Sequence, residues 1–187
     1  FFVTSLQGPY FATLADKLFW ACKRNGYEMN IFMTYGGKSA INNILGKVVD
    51  GCVIFSEDVD DKDVEQILRL KVPTVFLDRE MVGERVSSVL FDSYKDGEIA
   101  AEYLINRGVT KVGYIQGLLY HHDAKDRWRG FSDCFARHGL EIDPAYVYEG
   151  KFQRETSCKN TKQFLEEGLP LPQAFFAAND LSAIGCM

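Results

Sequence analysis

Short apolar segments alternate with amphipathic stretches along most of the chain, and this alternation restricts the possible folds more than any other feature. Apolar residues recur at helical spacing from Tyr10 to Arg24, with Pro9 just before them and Gly26 just after. The segments predicted as strands are 29–33, 52–55, 72–77, 86–90, 112–115, 146–148 and 174–177. Strands that alternate with helices need crossover connections, so the sequence predicts an α/β fold with doubly wound parallel sheets.

One stretch interrupts the alternation and suggests a division of the chain. The residues from Asp78 to Asp92 contain one strand-like segment and no helical pattern. We therefore place a hinge there, which predicts an N-terminal lobe at 1–90 and a C-terminal lobe at 91–187, with a ligand cleft between them. The chain begins within a strand-like segment and ends within a helical one, so both ends are expected to be cut.

Composition excludes several classes of function. The net charge is −5, and no group of Lys and Arg forms the basic surface that duplex DNA requires.

The five cysteines are an odd number without zinc or redox spacing, which is typical of free thiols in a reducing cytosol. Of these, Cys22, Cys52 and Cys134 have apolar neighbours and are predicted to be buried. No apolar run is long enough to cross a bilayer, so we expect a cytoplasmic protein.

Candidate binding residues follow the predicted strands. In open parallel sheets, ligands bind beyond the carboxyl ends of the strands, where helices begin and loops converge. The residues found at these positions are Gln7, Tyr10 and Phe11; Asp78 and Arg79; His121, His122, Asp123 and Arg127; Phe152; and Asn179 and Asp180.

This mixture of side chains suits a polyhydroxylated ring. Aromatic faces cover the apolar face of a sugar, carboxylates accept hydroxyl protons, and a guanidinium donates with fixed geometry. No nucleophile elbow, dinucleotide glycine signature or phosphate loop is present in the sequence, so neither an enzyme nor a cofactor is expected. The adjacent His121 and His122 point apart in most structures, and further ligands are not evident, so no metal is expected there.

Each candidate also has a purely structural interpretation. Arg127 can pair with Asp123 or Asp126 at the surface, and Asp180 can cap a helix that begins at Leu181. Phe11 fits the buried stripe of the first helix, whereas Tyr10 lies off that stripe. Asp78 and Arg79 can form an ion pair that closes a turn, so Asp78 ranks second among the ligand candidates.

Seven short motifs, taken in order, resemble those of the LacI/GalR transcription regulators, whose regulatory domain is similar to periplasmic sugar-binding proteins of type I. They are Gly8-Pro9-Tyr10-Phe11-Ala12, Arg24-Asn25-Gly26-Tyr27, Val49-Asp50-Gly51-Cys52-Val53-Ile54, Val72-Pro73-Thr74-Val75-Phe76-Leu77-Asp78-Arg79, Leu104-Ile105-Asn106-Arg107-Gly108 with Lys111-Val112-Gly113-Tyr114-Ile115-Gln116-Gly117, Arg127-Trp128-Arg129-Gly130-Phe131, and Ala178-Asn179-Asp180-Leu181-Ser182-Ala183-Ile184-Gly185.

The resemblance implies an effector-sensing domain of a bacterial repressor. It implies effector contacts from Tyr10 and Phe11 in one lobe and from Arg127, Phe152 and Asp180 in the other. It also implies a homodimer that binds operator DNA through a helix-turn-helix headpiece outside this chain. Because chains of the family continue beyond the Asn179-Asp180 motif to finish the first lobe, the resemblance further implies that the last part of the N-terminal lobe is missing here. A sugar or sugar derivative is the expected effector, with a purine or nucleoside as second choice. The alternative is a periplasmic sugar-binding protein of a transport system.

Overall fold

The computed structural model describes residues 1–6, 8–34, 36–55 and 59–187 of the chain. It divides into two compact units, Phe1–Leu90 and Phe91–Met187. Each unit contains one sheet, and every strand pairing in the sheets of the described residues is parallel. The predicted α/β class with parallel sheets and covering helices is therefore confirmed.

The first unit has a five-stranded sheet in the order β2-β1-β3-β4-β5. Its strands are β1 (Phe2–Val3), β2 (Phe32–Met33), β3 (Cys52–Phe55), β4 (Thr74–Leu77) and β5 (Val86–Val89). Its helices are α1 (Gly8–Arg24), α2 (Lys38–Leu45) and α3 (Asp61–Arg69). The Asp60 carboxylate caps α3 by accepting a hydrogen bond of 2.8 Å from the Asp63 amide.

Successive residues of each central strand pack on opposite faces of this sheet. Phe2, Ile54 and Phe76 belong to a core with α2 and α3, whereas the next residue of each strand packs in a second core against α1. Because side chains alternate along a strand, one short apolar strand supplies both cores. This period-two pattern explains why helices cover both faces of the sheet.

The second unit has a three-stranded sheet in the order β7-β6-β8. Its strands are β6 (Val112–Gln116), β7 (Val147–Glu149) and β8 (Ala174–Ala177). Its helices are α4 (Ser93–Ile105), α5 (His122–Arg137), α6 (Arg154–Glu166) and α7 (Asp180–Cys186), and a short 3₁₀ helix spans Pro144–Tyr146.

Two glycines allow α4 and α5 to pack closely. A Cβ atom on Gly97 would overlap the Arg127 carbonyl of α5, and one on Gly130 would overlap the Tyr94 carbonyl of α4. The two positions are reciprocal, so each helix approaches the backbone of the other. This approach sets the position of the first half of α5, where Arg127 lies.

The boundaries of several elements differ from the sequence prediction. Of the strand predicted at 29–33, only Phe32–Met33 pairs with a neighbour, and the strand predicted at 146–148 begins one residue later, after the 3₁₀ helix. Cys52 and Cys134 are buried as predicted, but the prediction was wrong for Cys22, which is partly exposed because it lies at the edge of the apolar stripe of α1. Within the described ranges, no helix is both long and apolar enough to cross a membrane.

Candidate functional site

The carboxyl ends of the second sheet bring three loops together. These loops follow β6, β7 and β8, and backbone hydrogen bonds join them. The Gly150 amide donates to the Gln116 carbonyl at 2.7 Å, and the Ala178 amide donates to the Ile115 carbonyl at 2.9 Å. The central strand β6 therefore anchors the loops on both sides, as expected at the edge where parallel α/β sheets bind ligands.

Arg127 projects from the second turn of α5 into this group of loops. Its Nη1 atom donates to the Ala178 carbonyl at 2.9 Å and to the Asp123 carboxylate at 3.3 Å, and its Nη2 atom donates to the Ser93 hydroxyl at 3.3 Å. The side chain is 18% exposed. Three partners on separate elements thus hold the guanidinium in one orientation, which a ligand site built on geometric recognition requires.

The guanidinium still has hydrogen-bonding capacity. Arginine carries five N–H donors, and the bonds to Ala178, Asp123 and Ser93 account for three of them among the described residues. The carboxylate of Asp180, an exposed residue in the first turn of α7, makes no hydrogen bond or ion pair with any described residue. Asp180 does not cap α7, because the Asn179 side chain accepts from the Ser182 amide at 2.9 Å. The capping interpretation of Asp180 is therefore wrong.

Both polar atoms of the Asn179 side chain form hydrogen bonds within the protein. Its Oδ1 atom caps α7, and its Nδ2 atom donates to the Phe152 carbonyl at 3.1 Å. The second bond connects the loop after β8 to the loop after β7, where Phe152 has a positive φ of 60°. Asn179 thereby positions both Asp180 and Phe152 at the site.

Phe152 and His121 form the apolar part of the site in the second unit. The Phe152 ring covers Gly117, where a Cβ atom would overlap it, and it lies edge-on to the His121 ring with centroids 5.7 Å apart. His121 is buried, with its Nδ1 atom 4.0 Å from an Asp123 carboxylate oxygen. Asp123 therefore lies between His121 and Arg127. It forms the pair with Arg127 that the structural interpretation predicted, and it remains a candidate for ligand binding.

The Tyr114 hydroxyl lies beneath this group of residues. Burial raises the pKa of Tyr114 above its ordinary value, and both Arg127 and Asp123 are close enough to act on it electrostatically. The hydroxyl is buried without a hydrogen-bond partner among the described residues. A tyrosine hydroxyl is protonated at neutral pH even with its ordinary pKa, and the raised pKa favours the protonated form further, so the hydroxyl keeps a proton to donate.

The candidates of the first unit form an aromatic group at the carboxyl edge of its own sheet. Tyr10 and Phe11 begin α1, and their rings lie edge-on at 5.0 Å between centroids. Phe11 also contacts Phe55 at the end of β3, again at 5.0 Å, and is partly buried in the core. Tyr10 is 44% exposed, so it offers a ring face that Phe11 does not.

Asp78 follows β4 in the left-handed region, with a φ of 57°, and its amide donates to the Val89 carbonyl at 2.9 Å. Its neighbour Arg79 donates to the Val59 carbonyl at 2.5 Å and forms an ion pair with Asp61. Arg79 thus stabilises the start of α3. Gln7, also predicted at this edge, lies outside the described residues.

The sequence prediction missed the part played by Ser93. α4 begins at Ser93, but Ser93 does not cap it: the cap is Asp92, whose carboxylate accepts from the Lys95 amide at 2.9 Å. Ser93 is buried instead and accepts from Arg127. The close approach of α4 and α5 creates this contact, and a glycine on each helix was the only signal of it in the sequence.

Comparison with known proteins identifies the family. Residues 1–187, the whole chain, match the model described as periplasmic binding proteins and sugar binding domain of LacI family. The chain belongs to this family. The predicted resemblance is thereby confirmed, and the motifs that carried it supply α5, β6 and the loop after β8.

A curated relative in this family is the HTH-type transcriptional repressor PurR of Pasteurella multocida. It is 29% identical over 190 residues, an alignment that covers 99% of this chain and 57% of the relative. The chain therefore spans little more than half the length of that LacI-family repressor, which is named as a repressor and not as an enzyme.

Two solved LacI-family structures have the same fold. A LacI-family transcriptional regulator from Burkholderia phymatum superposes with a TM-score of 0.84 at 28% identity, covering 99% of this chain and 70% of that one. A second, from Enterococcus faecium with bound ribose, has a TM-score of 0.83 at 18% identity and covers 99% and 68% of the two chains. The second likeness establishes the fold alone.

Proposed function

We propose that this LacI-family chain is the effector-sensing domain of a bacterial DNA-binding repressor and that it binds a small polar ligand, in the first instance a sugar. The proposal rests on the geometry of Arg127. Its guanidinium is held by Ser93, Asp123 and the Ala178 carbonyl, and it keeps N–H donors that no described residue uses. Asp180, whose carboxylate is uncommitted among the described residues, follows the same loop.

A sugar matches this set of groups. The guanidinium donates to ring or hydroxyl oxygens, Asp180 accepts hydroxyl protons, and the ring of Phe152 provides an apolar face. The ribose named with the E. faecium regulator belongs to the same ligand class. Purines and nucleosides are the second candidates, since they also combine a flat face with polar edges.

We further propose that Tyr10 and Phe11 of the first unit bind the same ligand, so that one effector is held by residues of both units. A ligand shifts a conformational equilibrium only through its different affinities for two states, and contacts from both units provide such a difference. In a homodimer with a DNA-binding headpiece, this shift couples effector to operator by about 1 to 3 kcal/mol. The protein acts on DNA in the cytoplasm.

The names of the relatives favour a regulator over a transport protein. PurR is named as a transcriptional repressor and the B. phymatum protein as a transcriptional regulator. A catalytic role forms no part of the proposal, because the described residues of the site are positioning groups and include no nucleophile activated by a base.

A thermal-shift screen of the full-length protein tests the proposal. The panel contains sugars, sugar phosphates, nucleosides and purines, each with wild type and with Arg127→Ala. At a hundred times its dissociation constant a ligand stabilises the folded protein by about 2.7 kcal/mol, which raises the melting temperature measurably. We expect at least one sugar to do so with wild type only. A panel without any stabilising ligand, or equal stabilisation of Arg127→Ala, would contradict the proposal.

A further inference from the structure

A second cluster of potential ligands lies on the opposite half of α5 from Arg127. It consists of Glu102 on α4, Cys134 on α5 and His138, the residue that follows the last turn of α5. One donor atom from each residue lies within 4.8 Å of the other two. Cys134 is seven residues beyond Arg127, so the cluster begins about 10 Å further along the helix axis.

The spacing of these residues directs them to one place. Cys134 and His138 are four residues apart, so they occupy the same face of the end of α5. Glu102 lies in the last turn of α4, where this helix packs against α5. A cation bound there would connect the two helices whose packing positions Arg127.

Two of the separations between the donor atoms agree with those in a tetrahedral metal site. One Glu102 carboxylate oxygen is 3.2 Å from His138 Nε2 and 3.5 Å from Cys134 Sγ. With zinc bonds of about 2.1 Å to nitrogen and oxygen and about 2.3 Å to sulfur, the edges of a tetrahedron are about 3.4 to 3.6 Å long. The two separations that involve Glu102 therefore match those around one ion, whereas the third pair, Cys134 Sγ and His138 Nε2, lies within 4.8 Å and would close on metal binding.

The chemistry of the donors selects the class of ion. Thiolate and imidazole favour borderline and soft transition metals, whereas calcium and magnesium require a shell of oxygens. A thiolate and a carboxylate together carry two negative charges, which match a divalent cation. Arg137 is close enough to interact with Cys134 and Glu102, but it also donates to Glu98 and to the Tyr94 hydroxyl, so its charge is partly compensated.

The three side chains of the cluster are buried to different extents, as expected of a metal site that is open to solvent on one side. Cys134 is fully buried in the core of the second unit, whereas the side chains of His138 and Glu102 are 40% and 45% exposed. The sulfur thus lies at the base, and the two other ligands border the solvent. A fourth coordination position remains accessible to water, as in zinc sites with three protein ligands.

We propose that Glu102, Cys134 and His138 bind a divalent ion of the zinc class. The site is separate from the effector residues, and the proposal does not depend on the proposed function. It uses none of the three residues His121, His122 and Asp123, for which the sequence predicted no metal.

Cobalt substitution tests this site in the full-length protein, with Co²⁺ alone as the probe. A sulfur-to-cobalt charge-transfer band appears in the near-ultraviolet spectrum only if a thiolate binds the metal. We expect the band to saturate with an affinity that depends on all three residues. Cys134→Ser should abolish the band, and His138→Ala and Glu102→Gln should each weaken binding by about tenfold or more.

Matched controls separate this site from accidental binding. His122→Ala removes an exposed histidine at the other end of α5, and Cys158→Ser removes another thiol of the same unit. Both should bind Co²⁺ as wild type does. Because His138 and Glu102 are partly exposed, their variants are expected to fold even if Cys134→Ser does not. Absence of the band in wild type, its loss in Cys158→Ser, or undiminished affinity in both His138→Ala and Glu102→Gln would overturn the proposal.

Discussion

The two sheets carry different chemistry at their carboxyl ends. In the first unit this edge is aromatic, with Tyr10, Phe11 and Phe55 in edge-on contact. In the second unit it is polar, with Arg127 donating hydrogen bonds to Asp123 on its own helix and to the Ala178 carbonyl after β8. The carboxyl edge of a parallel sheet can therefore carry either aromatic rings or oriented hydrogen-bonding groups.

The difference shows where specificity is expected to arise. An aromatic ring contacts many ligands with little dependence on orientation, whereas a guanidinium held in place by three partners donates only to correctly placed oxygens. We therefore expect the second unit to select the ligand and the first to add affinity. The following predictions test this division in order of decreasing effect.

Substitution Gly130→Ala tests whether the polar edge depends on helix packing. The added Cβ would overlap the Tyr94 carbonyl, so α4 and α5 must move apart. We expect a loss of about 3 kcal/mol in the free energy of unfolding, at the upper end of the usual overpacking effect, measured by urea denaturation.

A matched control is Gly83→Ala in the first unit. Its Cβ would meet only Val86 side-chain atoms, the nearest at 3.7 Å, which is an ordinary contact. Its stability should stay close to that of wild type. Equal stability of the Gly130→Ala variant and wild type would show that the two helices are not closely packed.

Removal of the guanidinium in Arg127→Ala is expected to lower effector affinity the most. Hydrogen bonds to a charged group contribute about 1.5 to 3 kcal/mol, so affinity should fall by roughly 10- to 150-fold in a calorimetric titration. Arg129→Ala, on the same helix, is the control, because Arg129 is 62% exposed and, among the charged groups of the described residues, pairs only with Asp126. A similar loss in both variants would refute a specific role for Arg127.

The exposed carboxylate of Asp180 gives a cleaner test, because no described residue depends on it. Asp180→Asn should weaken effector binding by about tenfold while leaving the melting temperature of the free protein unchanged. Glu155→Gln, in the first turn of α6, removes a comparable exposed charge at a helix start. It should leave affinity unaltered, and unchanged affinity in Asp180→Asn as well would remove Asp180 from the site.

The smallest effect is expected in the first unit. Tyr10→Ala should reduce affinity only a few-fold, since aromatic contacts of this kind contribute about 0.5 to 1.5 kcal/mol. Tyr27→Ala is the control, because Tyr27 is 69% exposed beyond the end of α1. If Tyr10→Ala weakened binding more than Arg127→Ala did, the division of roles between the two units would be reversed.

The fold was predictable because its causes are local. The apolar period of α1 and the short apolar strands around Ile54 and Phe76 directly encode helices and parallel strands. The exact strand ends were not predictable, because pairing with a neighbour decides them, as the shortened strand Phe32–Met33 shows.

The residues of the candidate site could be predicted from the sequence, but the contacts between them could not. Arg127 and the Ala178 carbonyl are 51 residues apart in the sequence, and no local pattern indicates that they meet. The same applies to Ser93, which contacts Arg127 only because two glycines let α4 and α5 approach. The burial of His121 behind Phe152 likewise depends on tertiary packing.

Amide chemical-shift mapping of the isotope-labelled full-length protein, titrated with the best ligand of the screen, is the most direct test that the polar edge holds the effector. We predict the largest shifts at Ala178 to Leu181, at Gly117 to Asp123 and around Phe152. Largest shifts instead in the groove between the 3₁₀ helix and α6, which Tyr148 and Asn160 line, would contradict the account.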